Sequence, residues 1–154
     1  MKNARPQKTG TSANDKRDFT PGSLPIRRDS VIAATLASML EGKALTGLDA
    51  VNAQNTTRLS AVIFELAHTY GWPICRQDIA AGTSDGRISW VTLYWLHNRT
   101  REAALKAGGG VWVDGVVQAR TLLRRGAAKC KRKAARMNLA KGINTAQMNL
   151  WESK

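Results

Sequence analysis

The chain has 154 residues with 24 Lys and Arg against 11 Asp and Glu, a formal charge of +13. That length suits one compact domain with tails, and the positive excess points to a polyanionic partner, either nucleic acid or an anionic membrane surface. No apolar run approaches the roughly 18 residues that cross a bilayer, no secretory signal opens the chain, and Cys75 and Cys130 stand too far apart to suggest a zinc site or a disulfide framework; a cytoplasmic protein is expected.

The charge is concentrated at the ends. Residues 1–30 carry seven basic and three acidic side chains, residues 31–110 seven and six, and residues 111–154 ten and two. Residues 1–28 are polar and rich in Gly, Ser, Thr and Pro, so a flexible basic arm is expected there. Asp29 or Ser30 can cap a first helix, whose apolar residues Val31, Ile32, Leu36, Met39 and Leu40 recur at helical spacing until Gly42. Thr46 and Asp49 form the two ends of a capping box that opens a short second helix, broken at Gln54-Asn55. Thr56 can cap a third helix, along which Leu59, Val62, Ile63, Leu66, Ala67 and Tyr70 make one apolar stripe. Thr57, Arg58, Ala61, Glu65 and His68 face away from that stripe, and Gly71 with Pro73 ends the helix.

A hairpin is expected next. Residues 72–79 read as one strand, residues 81–86 are dense in turn formers, and residues 87–95 alternate through β-branched and aromatic side chains. Trp72, Trp90 and Trp95 are assigned to packing within the core or hairpin rather than to stacking on bases. Asn98 or Thr100 can open a helix that ends at Gly108-Gly109-Gly110, read as a flexible joint. From Val113 onward the sequence is again compatible with helix, with Val116, Leu123, Cys130 and Met137 recurring every seventh residue.

The expected fold is therefore mainly α with a small β-hairpin. Three short helices followed by a hairpin are the order of a winged helix-turn-helix, placed at residues 29–96, with a connecting helix at 97–108 and a basic helical extension or tail at 109–154. In such a fold the start of the third helix approaches base edges and the hairpin tip lies beside phosphates. The candidate DNA-binding residues are accordingly Asn55, Thr56, Thr57, Arg58 and Ala61 on the helix, and Ser84 and Arg87 at the tip. Arg124, Arg125, Lys129, Lys131, Arg132, Lys133 and Arg136 complete the set as a run that can track a phosphate backbone. The alternatives are a solvated helix face or a disordered tail for that run, and an ion pair with Glu65 or plain solvation for Arg58. The apolar residues among the C-terminal charges are mostly Ala, which argues against a membrane-surface helix.

The stretch from Met39 to Ala50 resembles the opening of small helix-turn-helix proteins of phages and prophages. Thr57 to Leu66 is similar to that family's third helix, and Gly71-Trp72-Pro73-Ile74 to its helix stop and first wing strand. The resemblance covers roughly residues 31–95. It implies a winged helix that binds double-stranded DNA in gene regulation or phage DNA transactions, inside a bacterial host cell. His68 and His97 do not pair, the triple glycine lacks the Lys-Ser/Thr of a phosphate loop, and the acidic residues do not cluster; no catalysis, cofactor or metal is expected. The competing reading is a non-catalytic adaptor that binds a host or phage protein, and a homodimer is compatible with either.

Overall fold

The computed structural model describes residues 19–143. Its elements in order are α1 (Val31–Leu40), α2 (Gly47–Gln54), α3 (Leu59–His68), β1 (Ile74–Gly82), β2 (Ile88–Leu96), α4 (Asn98–Ala104), α5 (Gly110–Arg125) and α6 (Ala127–Ala140). The chain is mainly helical, with one two-stranded antiparallel hairpin.

Local chemistry sets most of these boundaries. Ser30, of the two candidate caps, starts α1, its hydroxyl accepting from the Ala33 N–H at 3.1 Å. The capping box at α2 is complete: Thr46 Oγ1 accepts from the Asp49 N–H, and the Asp49 carboxylate accepts from the Thr46 N–H at 2.8 Å. Asn55 ends α2 in the left-handed region with φ 54°. The third helix starts later than expected. The Thr56 hydroxyl accepts from the Arg58 N–H at 3.2 Å, a local turn bond that competes with helix, and α3 begins at Leu59 with Arg58 in the capping position and no side-chain cap. From there the expected stripe holds, with Leu59, Val62, Ile63 and Leu66 buried.

The hairpin pairs nine residues on each side, from Ile74 with Leu96 to Gly82 with Ile88. Its first strand starts at Ile74 rather than Trp72, because Trp72 turns into the core and Pro73 has no N–H for a ladder. Leu45, between α1 and α2, exchanges two backbone bonds with Tyr94 at 2.8 and 2.9 Å, fixing the base of the hairpin to the helices. Trp90 departs from expectation. It is 72% exposed, with Ile88 beside it 78% exposed. Their cross-strand partners are Ala80 and Gly82, too small to cover them.

The core does not stop at residue 96. α1 packs on α2, α3, α4, α5 and β2. Ala104, Trp112, Val113 and Val116 are buried in the same cluster as Leu36, Met39, Leu40 and Leu66. The triple glycine is a packed corner. A kink within Leu105–Gly109 joins α4 to α5, with Gly108 at φ +93°, a conformation in which a side chain is strained. Gly109 is buried so tightly that a Cβ there would lie 2.7 Å from the Ala104 carbonyl oxygen.

The expected flexible arm also changes. Residues 1–18 lie outside the described residues, but residues 19–28 are laced to the domain. The Trp72 indole donates to the Ser23 carbonyl at 2.8 Å, and the Trp112 indole to the Pro25 carbonyl at 3.1 Å. Pro25 is fully buried. At Gly22 a Cβ would collide with the Tyr70 carbonyl oxygen. The extension therefore divides within itself: α5 begins in the core, and only α6, which buries no residue, stands clear of it.

Two stability measurements follow. Trp112→Ala should destabilise by about 3–5 kcal/mol, and Leu66→Ala by about 2–5 kcal/mol, the ranges for buried large-to-small changes. In calorimetry, a chain ending at residue 126 should keep a cooperative transition. One ending at residue 110, which loses Trp112, Val113 and Val116, should not; a sharp transition there would show that α5 is dispensable.

Candidate nucleic-acid interface

The expected contact residues fall into three groups. Asn55, Thr56, Thr57, Arg58 and Ala61 form one continuous patch across the turn between α2 and α3. All are exposed except Thr56, which is half-buried. Arg58 makes no ion pair, with Glu65 or otherwise, among the described residues. It is the only cation on an outward face that also presents Ser60, Ala61, Phe64, Glu65 and His68. Phe64 is 63% exposed and stacks on His68 with ring centroids 3.9 Å apart.

Ser84 and Arg87 lie at the hairpin tip, at the far end of strands that extend roughly 30 Å at 3.3 Å per residue. The turn is closed by the Thr83 N–H donating to the Arg87 carbonyl at 2.8 Å. Arg87 is already engaged. Its guanidinium donates to the Asp85 carboxylate at 2.6 Å from Nε, and the Thr83 hydroxyl donates to the same carboxylate. The Arg87 hydrogen bond, followed by the Thr83 hydroxyl, holds the Asp85 carboxyl below its ordinary value of 3.8. The tip thus presents a neutralised cation.

The third group lies on α5 and α6. Arg124, Arg125, Lys129, Lys131, Arg132, Lys133 and Arg136 are all exposed, and none forms an ion pair among the described residues. Lys129, Arg132, Lys133 and Arg136 follow an i, i+3, i+4, i+7 spacing and so share one face of α6. Arg120, upstream, is held inward, donating to the Asp29 carbonyl at 3.2 Å.

Of the five tryptophans, Trp72 and Trp112 are structural and Trp151 lies outside the described residues. The exposure of Trp90 and Ile88 was the feature missed from the sequence; the signal was the small residues Ala80 and Gly82 opposite them once the turn fixes the register. Among the described residues, no His, Cys, Asp and Glu group could hold a metal ion, and no helix is long and apolar enough to cross a membrane. No protein-family model matches this chain, and no curated protein is significantly similar to it.

The Asp85–Arg87 contact gives a pH test. A carboxyl whose folded value is depressed contributes to the turn above its unfolded value near 3.8, and the contribution is lost as pH falls through the folded value. In an NMR titration the Asp85 midpoint should lie below 3.8 in the native chain and move up toward it in Arg87→Gln. A midpoint unmoved by that substitution would mean Arg87 is free for another partner.

Proposed function

We propose that this protein binds double-stranded DNA as a winged helix-turn-helix of the phage and prophage type, acting in transcriptional regulation or phage DNA transactions without catalysis of its own. In this reading α2 and α3 are the helix-turn-helix, the hairpin is the wing, and α6 is an electrostatic arm on the phosphates. The observation that carries it is the face of α6 made by Lys129, Arg132, Lys133 and Arg136, in a helix without an acidic residue. Phosphate contacts of this kind supply affinity and positioning, whereas base contacts supply specificity.

The order α1, α2, α3, hairpin, with Leu45 paired to β2, supports the fold reading. Arg58, Thr57 and Ala61 at the start of α3 are the groups that would meet base edges. The hairpin tip contributes less than its sequence implies, since Asp85 offsets Arg87. One observation favours the adaptor reading instead: the outward face of α3 holds a single cation and an exposed aromatic stack, a surface suited to a protein partner.

The arm and the helix can be tested separately by measuring duplex affinity over a range of salt. If the arm makes about three phosphate contacts, deleting residues 127–154 should flatten the log–log salt slope by about 2–3 and weaken all sequences alike. Arg58→Ala should cost about 1–3 kcal/mol on the preferred sequence if it reads a guanine. A chain that shows no salt-dependent duplex binding leaves the adaptor reading in its place.

A further inference from the structure

We infer that the cleft between α1 and α5, bounded by the end of α2, binds a small organic anion: a carboxylate or phosphate group on a compact apolar body. The cleft holds about 230 Å³. Along it α1 meets α5 with short side chains, Ala34, Ala37 and Ser38, which leave space beside Val116. Ala37 and Val116 are themselves buried, so the inner part of the lining is apolar.

The polar part of the lining selects the occupant. Gln54, at the end of α2, is 4% exposed and lines the cleft. Its Oε1 lies 2.6 Å from the Thr35 hydroxyl, and its Nε2 is buried without a hydrogen-bond partner among the described residues. A buried donor without an acceptor is costly, and an acceptor brought by a ligand relieves it. Arg120 and Arg124, one turn apart on α5, line the same cleft, and neither forms an ion pair among the described residues. Lys43, the third cation of the lining, is matched by Glu41 at 2.9 Å. Two guanidinium groups are thus left uncompensated, and their planar forks suit carboxylate and phosphate oxygens. A cationic ligand meets those two charges. A neutral apolar one leaves the Gln54 donor unpaired, and an inorganic anion leaves the apolar wall uncovered. The volume falls below the roughly 300–1,000 Å³ of drug-sized sites, which limits the body to about the size of an aromatic ring. The inference does not depend on DNA binding.

The test titrates the full chain with benzoate, phenyl phosphate, benzyl alcohol, benzylammonium and inorganic phosphate, followed by calorimetry and NMR. Saturable binding of benzoate or phenyl phosphate, at least tenfold tighter than the other three, is expected, and the tighter of the two identifies the head group. The same titration should shift the side-chain NH2 signals of Gln54. Arg124 is exposed, so Arg124→Gln should leave thermal unfolding unchanged while weakening the tighter anion at least tenfold. Ala34→Leu fills the cleft without a change of charge and should weaken it at least as much. Inorganic phosphate binding as tightly as the aromatic anions would reduce the site to a basic surface and overturn the proposal. So would the absence of saturable binding by either aromatic anion, Gln54 signals that do not move, or an affinity untouched by Arg124→Gln.

Discussion

Ten residues without a formal charge, Val31–Leu40, set the terms for the rest of the chain. A helix that is apolar on one side can lie on a surface, but one that is apolar nearly all round must be enclosed. Ala33, Leu36, Ala37, Met39 and Leu40 are all buried, and so is Thr35. α2 and α3 cover part of this circumference and the base of β2 another part, yet that leaves a side bare. α4 and α5 close it, bringing Trp112, Val113 and Val116 onto α1. The same need explains a buried polar contact at the helix: the Thr35 hydroxyl lies 2.9 Å from the Val31 carbonyl oxygen and 2.6 Å from Gln54 Oε1. The hydroxyl donates to the Gln54 carbonyl oxygen, and the Gln54 Nε2 is buried without a hydrogen-bond partner among the described residues. This buried amide ties the end of α2 to the middle of α1.

Enclosure also accounts for the lacing of residues 19–28. Two indoles, Trp72 and Trp112, are buried in the core, and an indole N–H without an acceptor is costly to bury. Trp72 and Trp112 both find backbone carbonyls, at Ser23 and Pro25, on a single extended segment. That segment thereby bridges the end of α3 and the start of α5. Phe19 continues the attachment, its ring 4.6 Å from His97 and beneath the Arg99 guanidinium. A stretch that looks too polar to order itself is ordered by satisfying groups elsewhere.

What was legible in the sequence, and what was not, follows from the range of each interaction. The caps at Ser30 and Thr46, the stripe from Leu59 to Leu66 and the hairpin turn all depend on residues within a few positions of one another. They were read correctly apart from the start of α3, where the Thr56 hydroxyl chose a turn bond over a helix cap. The places of Trp112 and of residues 19–28 depend on contacts some 87 positions apart, and no periodicity records them. The uncharged sequence of α1 was the available hint that a three-helix unit and a hairpin would not suffice. For the candidate interface the same division holds: the basic face of α6 is a matter of spacing, whereas the neutralisation of Arg87 by Asp85 appears only once the turn is closed.

The fold also determines why α6 carries its charge unrelieved. A segment with large apolar residues on one face would have been drawn into the core, as the first half of α5 was; α6 offers mostly Ala and stays outside. Outside, its own sequence works against it. Lys129 lies in the first turn, where the helix dipole disfavours a cation. Lys129 with Lys133, and Arg132 with Arg136, are like charges four residues apart, each pair opposing the helix by about 0.2–0.5 kcal/mol. A fourteen-residue helix without tertiary cover is already marginal in water. A polyanion laid along the basic face would offset the like-charge repulsions and the first-turn cation. Any such binding would be linked to helix formation in α6, part of the contact free energy being spent on ordering. The uncharged helix at the centre and the highly charged helix at the edge thus stand at opposite ends of one constraint: the first is enclosed by the chain, and the second buries no residue.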